Sequence, residues 1–216
     1  MMINRRNLSL AAGMAAAVAL TAGALIASTA RAESGIAPGR PAPAFTMTDT
    51  NGQSVSLADF RGRPVVLEWT NDGCPFVRKH YANPPGNMQG LQEGAAADGA
   101  VWLTVISSAP GKQGYVDGAQ ANQLTESRGA SPTHVLLDPD GVLGRLYGAK
   151  TTPHMYVVGP DGRVVYQGAI DSAPSANVAD ITSATNYVHD ALASLAAGAP
   201  VAVKVTKPYG CSVKYS

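Results

Sequence analysis

Two cysteines, Cys74 and Cys211, are the only thiols in the 216-residue chain. Cys74 sits in "EWTNDGCPFVRKHY" (Glu68 to Tyr81), after an apolar run and directly before Pro75. Proline is favoured in the first turn of a helix, so Cys74 is expected where a strand ends, a turn closes and a helix begins. Unpaired backbone N–H groups and the positive end of the helix dipole favour thiolate there, so Cys74 is a candidate nucleophile with a lowered pKa. Arg78, Lys79 and His80 follow within the next turn and a half and can reinforce that shift, or simply face solvent. The bland alternative is an inert buried thiol.

The elements that must hold Cys74 can be read around it. "RPVVLEW" is a continuous apolar run from Val65 to Trp69, which predicts a buried central strand. Upstream, Asn51-Gly52 predicts a hairpin turn between two short strands. Downstream, helices are expected through Tyr81, over "NMQGLQEGAAAD", over "DGAQANQLTESRG" and over "GVLGRLYGA". "VWLTVISS" and "THVLLD" predict strands, and "HMYVVGPDGRVVYQGAI" predicts two more joined at Pro160-Asp161-Gly162. "NVADITSATNYVHDALASLAAG" reads as the longest helix, with Val178, Ile181, Ala184, Val188, Leu192 and Leu195 on one face and Gly198 ending it. This order implies an α/β fold with a central mixed β-sheet flanked by helices. Ligands of such sheets gather at the carboxyl ends of the strands, where Cys74 is expected.

The N-terminus carries Arg5 and Arg6, an Ala-rich apolar run and Ala30-Arg31-Ala32, the layout of a signal peptide with an A-x-A cleavage site. The paired arginines followed by Asn7 and Leu8 resemble a twin-arginine export signal. Residues 1–32 are therefore expected to be removed, with no stable membrane insertion after cleavage and a periplasmic or secreted product. The remaining 184 residues hold 13 basic and 15 acidic side chains, a net charge of −2, and no basic stripe points to nucleic acid. Residues 33–44 read as an extended leader, 45–198 as one domain and 199–216 as a tail carrying Cys211. An exported chain with two cysteines permits one intramolecular bridge.

With "VVLEWTNDGCPFVRKHY" and "AKTTPHMYVVGPDGRVVYQG", the chain from about Gly35 to Gly198 resembles the thioredoxin-like superfamily. The resemblance is closest to its alkyl hydroperoxide reductase and thiol-specific antioxidant (redoxin) branch, and within it to a peroxiredoxin-like group with a single cysteine at the thioredoxin position. It implies a thioredoxin-like three-layer fold. Cys74 then takes the place of the first cysteine of the thioredoxin Cys-x-x-Cys, Val77 replaces the second, and Thr152-Pro153 takes the place of the cis-proline element facing the thiol. The peroxiredoxin motif Pro-x-x-x-Thr-x-x-Cys is not reproduced, because Thr70 lies four residues before Cys74 and Pro64 is displaced too.

The resemblance implies an exported thiol-dependent oxidoreductase in which Cys74 attacks a peroxide or a disulfide and a thioredoxin-type reductant restores it. Cys211, in "TKPYGCSVKYS", is the candidate resolving thiol, with a permanent structural staple as the alternative. Thr70, Gly73, Pro75, Thr152, Pro153 and His154 are the candidate pocket residues around Cys74. Cys74, His80, His154 and Cys211 together can also form a soft ligand set, so a copper or metallocentre chaperone is a rival reading. A redox-inactive binding module on a borrowed fold is the other. His134 and His189 are expected to be structural. No resident metal and no cofactor is called for, since neither "NPPGNMQGLQ" nor "SSAPGKQGYV" has phosphate-loop spacing.

Overall fold

The computed structural model describes residues 36–216; the expected signal peptide and the start of the expected leader lie outside the described residues. The rest of the leader is extended and tied down. Gly39 and Ala42 donate their N–H groups to Val164 O and Gly162 O, and Pro43 O accepts from the Tyr147 hydroxyl.

In chain order, β1 (Thr46–Thr48) and β2 (Ser54–Ser56) form an antiparallel hairpin around Asn51-Gly52. A 3₁₀ turn (Leu57–Phe60) leads to β3 (Val65–Trp69), α1 (Pro75–Tyr81), α2 (Asn87–Ala97) and β4 (Val101–Ile106). Then come α3 (Gly118–Ser127), β5 (His134–Leu137), α4 (Val142–Tyr147), β6 (Thr151–Thr152), β7 (His154–Val158) and β8 (Val164–Gly168). A second 3₁₀ turn (Val178–Ser183), α5 (Tyr187–Ala196) and β9 (Cys211–Ser212) finish the chain.

The main sheet has the order β5-β4-β3-β7-β8, with β3, β4 and β5 parallel and β7 and β8 antiparallel to their neighbours. Every residue of β3 and β4 is buried, which is why both read as near-continuous apolar runs, interrupted only by Glu68 and Thr104, rather than alternating ones. Because side chains alternate across a strand, the two faces are sorted by parity. Leu67, Trp69, Leu103, Val105 and Tyr156 pack with the β1–β2 hairpin and α4 on one side. Val66, Trp102, Met155 and Val157 pack with α1, α2 and α5 on the other, and Cys74 belongs to that layer. The sheet with its two coverings forms the expected three layers.

One expected element differs. The long helix over residues 177–198 is broken at Ala184, leaving α2, with eleven residues, as the longest helix among those described. The break is imposed by capping and pairing. Asn177 and Asn186 each cap a new start, accepting from Ala179 N and His189 N, while Thr185 O and Asn186 are held to Ser172 and Asp171. Only Val188 and Ala191 of α5 are buried, so the helical face read through Val178 and Ile181 does not continue into the core.

Candidate functional site

Cys74 is the N-cap of α1 and has no exposed surface. The turn before it is preorganised by Asn71, whose carboxamide oxygen accepts from Gly73 N (2.8 Å) and whose backbone oxygen accepts from Cys74 N (3.0 Å). A side chain at Gly73 would collide with Gln113, which itself donates to Gly73 O at 3.1 Å. Pro75 is exposed at the first position of the helix.

Across from this turn, the Thr152–Pro153 peptide is cis, and the Thr152 carbonyl accepts from the Cys74 thiol at 3.1 Å. Thr152 also pairs with Cys211 in the two-stranded β6–β9 ribbon, so one residue touches both cysteines. Gly210 makes the close approach possible. Its φ is +118°, and a Cβ there would sit 2.1 Å from Thr152 O.

Both thiols are reduced, and they interact. Burial alone would push the Cys74 pKa up. The Cys211 thiol and backbone N–H, then the nearby Val77 N–H and Thr152 side chain, favour the thiolate, so the net position is below the ordinary cysteine value. Burial, donation to Cys74 and the neighbouring Cys74 charge together push Cys211 up to about 11. The helix end thus contributes through Val77 N–H, but the tail cysteine is the larger stabilising influence on the thiolate.

The tail is anchored by Tyr209, a residue that motif reading passed over. Its hydroxyl donates to Asp171 Oδ1 and lies 3.1 Å from His80 Nε2, and its ring packs edge-on against Phe76 at 5.9 Å. Asp171 Oδ2 accepts from the fully buried Lys79 ammonium at 3.3 Å, and Lys79 also donates to Ala173 O at 2.8 Å. His80 is buried with its second ring nitrogen against the Asn87 amide (2.8 Å). Burial, offset in part by Asp171 and reinforced by Lys79, lowers its pKa to about 4. Lys79 and His80 therefore hold the tail rather than the thiol, and Arg78 turns back to donate to Asp72 O at 2.8 Å.

Two expected neighbours of Cys74 lie elsewhere. His154 is paired with Trp69 in the sheet register and stacks on Tyr156 at 4.7 Å, on the sheet face opposite the Cys74 layer. Thr70 lines a cavity of about 20 Å³ with Tyr81, Thr104 and Arg128, room for about one water, and its hydroxyl has no protein partner. The ligand set of Cys74, His80, His154 and Cys211 accordingly does not converge. Among the described residues no three His, Cys, Asp or Glu side chains are grouped to hold a metal. A buried carboxyl that the sequence signalled only as a lone acid in an apolar strand is Glu68, which accepts from Tyr81 (2.7 Å), Trp102 (2.8 Å) and Thr104 (3.1 Å). Burial outweighs those bonds and raises its pKa.

A thiol at a strand-to-helix turn, faced by a cis-proline loop on a β5-β4-β3-β7-β8 sheet, coincides with a family match. Residues 38–167, more than half of the chain, match the AhpC/TSA family. The chain belongs to the AhpC/TSA family, within the redoxin branch of the thioredoxin-like superfamily. A Mycobacterium tuberculosis protein provisionally named a peroxiredoxin is 29% identical to this redoxin over 141 residues, spanning 60% of this chain and 83% of its own. An uncharacterized conserved protein from Geobacillus kaustophilus aligns with a TM-score of 0.68 at 25% identity, covering 83% of this chain and 92% of its own. A hypothetical protein from Sinorhizobium meliloti 1021 shares the fold, with a TM-score of 0.70 at 20% identity, over 84% of this chain and 96% of its own.

Proposed function

We propose that this redoxin is an exported thiol-disulfide oxidoreductase in which Cys74 is the nucleophile and Cys211 the resolving thiol. The observation that carries the reading is the shared contact at Thr152, whose carbonyl accepts from Cys74 while its backbone pairs with Cys211. Attack of the Cys74 thiolate on a disulfide forms a Cys74 mixed disulfide and expels one thiolate, which takes up a proton. Cys211, deprotonated as it reacts, then attacks the Cys74 sulfur, releases the second substrate thiol and leaves a Cys74–Cys211 disulfide. A thioredoxin-type dithiol reduces that bridge and is itself oxidised to a disulfide. With a peroxide, the first step would give a Cys74 sulfenic acid and an alcohol or water, and Cys211 would then expel water.

The disulfide is the favoured electrophile. The Thr70 hydroxyl opens into a separate cavity, and Arg78 and Arg128 are both engaged at Asp72, so the groups that organise a peroxide in peroxiredoxins are not offered to Cys74. Since Cys74 is fully covered, the tail must swing aside to admit a disulfide and return to resolve it.

Non-reducing peptide mapping after substoichiometric oxidation tests the cycle. The expected product is a Cys74–Cys211 bridge, formed faster with a disulfide such as cystamine than with hydrogen peroxide. Cys211→Ser should retain the first oxidation and stop turnover, whereas Cys74→Ser should lose both. A free Cys211 in fully oxidised protein would exclude the resolving role, and a faster reaction with peroxide would reverse the choice of substrate. Export is read from the Ala30-Arg31-Ala32 site. Intact mass of protein recovered from the periplasm or medium should correspond to a chain beginning at Glu33.

A further inference from the structure

On the sheet face away from the two thiols lies a cavity of about 380 Å³, walled by Tyr147, Tyr156 and His154 on one side and by Val205 and Pro208 of the tail on the other. That volume is in the range of small-molecule sites. Both tyrosine hydroxyls are committed elsewhere, Tyr147 to Pro43 O (2.8 Å) and Tyr156 to Tyr147 O (2.7 Å), so each presents ring surface to the cavity. His154 is only 5% exposed. Its Nδ1 accepts from Lys150 N at 3.2 Å, which puts the ring proton on Nε2, and that N–H has no hydrogen-bond partner among the described residues. A donor without a protein partner on the wall of a cavity is available to an acceptor bound there.

Among the described residues, the charge lining it has one sign. Lys150 lines the same cavity, its ammonium makes no hydrogen bond or ion pair among the described residues, and its charge is near enough to help burial keep the His154 ring neutral. In the tail, Lys204 and Lys207 are sequence neighbours of the wall residues Val205, Thr206 and Pro208, and among the described residues no Asp or Glu lines the cavity. We propose that this cavity binds a small organic anion, a carboxylate carried on an apolar or aromatic body, with the carboxylate accepting from His154 Nε2–H beside Lys150 and the body against Tyr147 and Tyr156. This site lies on the opposite sheet face from the two thiols, and the proposal does not rest on the reading of their chemistry.

The test is titration of the mature, reduced protein followed by amide and histidine-ring NMR, with benzoate and phenylacetate as probes, benzamide as the neutral isostere and acetate as the anion lacking a body. Benzoate or phenylacetate should shift the His154 ring and the Lys150 and Val205 amides saturably, with a Kd on the order of 1 mM or tighter. Benzamide and acetate should bind at least about tenfold more weakly, the effect expected from losing one charge-assisted contact or the apolar body. Lys150 is exposed, so Lys150→Gln should fold and weaken benzoate about tenfold, with Lys150→Arg restoring it. Equal affinity for benzamide, equal affinity for acetate, an unchanged Kd in Lys150→Gln, or no saturable shift with either aromatic acid would overturn the proposal.

Discussion

The thiolate of Cys74 is favoured less by its own helix than by a residue 137 positions away in sequence, Cys211, through its thiol and backbone N–H. Removing that partner should therefore raise the Cys74 pKa, and under the proposed cycle weaken its attack, rather than merely strand it. In the wild type, the rate of iodoacetamide alkylation against pH should show a lower limb from Cys74, with its midpoint below that of a free cysteine, and an upper one from Cys211 near about 11. In Cys211→Ala, the Cys74 midpoint should move upward, because burial remains while the two leading hydrogen bonds are lost or rearranged. An unchanged or lower midpoint would show that Val77 N–H and Thr152 suffice.

At the scale of elements, the tail works as a strap with two fastenings. One is the β6–β9 ribbon at Thr152, and the other is Tyr209 in its buried niche of Asp171, Lys79 and His80. Tyr209→Phe keeps the ring against Phe76 but deletes the hydroxyl, at a cost of about 1–3 kcal/mol, since it leaves buried Asp171 short of a donor. The tail should then open more often. Cys74 alkylation should speed up and Cys74–Cys211 disulfide formation should slow, both read by mass spectrometry on quenched samples. If neither rate moves, Tyr209 is packing alone. Gly210→Ala should act in the same direction and more strongly, because its Cβ cannot coexist with Thr152 O and its φ of +118° disfavours any side chain. Unchanged exchange kinetics in that variant would mean that the strap closes without the β6–β9 contact.

The whole molecule should lose stability on mild acidification. His80 and His154 are buried and titrate at about 4 when folded, mainly because of burial, whereas an unfolded histidine titrates near 6.5. Their neutral forms are fully compatible with the fold above about pH 6.5. Between there and about 4 the unfolded chain binds protons that the native state refuses, so stability falls as pH falls, by roughly 3 kcal/mol for each histidine. Glu68 opposes this, since its raised pKa lets the native state take up a proton first. Urea midpoints for the reduced protein should drop between about pH 7 and about pH 5, and His80→Asn should flatten the drop. A wild-type midpoint that holds or rises on acidification would mean that Glu68 dominates.

What could be read along the chain was what neighbouring residues decide among themselves. The apolar run Val65–Trp69 had to be a buried strand, Pro75 could open a helix but not continue one, and Asn51-Gly52 suited a tight hairpin, so the position of Cys74 followed from local preference alone. The same reasoning over-extended the last helix, because the helical spacing of Val178 and Ile181 carries no information about the asparagine caps and the Asp171 bridge that break it. It also placed His154 beside the thiol through its adjacency to Pro153. Side chains alternate across a strand, and the register of β7 against β3 aligns His154 with Trp69, on the far face. The partners of Lys79 and His80 were hidden for a similar reason: Asp171 and Tyr209 lie 92 and 129 residues further along the chain. Local preference placed Cys74 at its helix start, but only the return of the tail over Thr152 brought Cys211 to it, because contacts that distant depend on how the elements pack and not on their order.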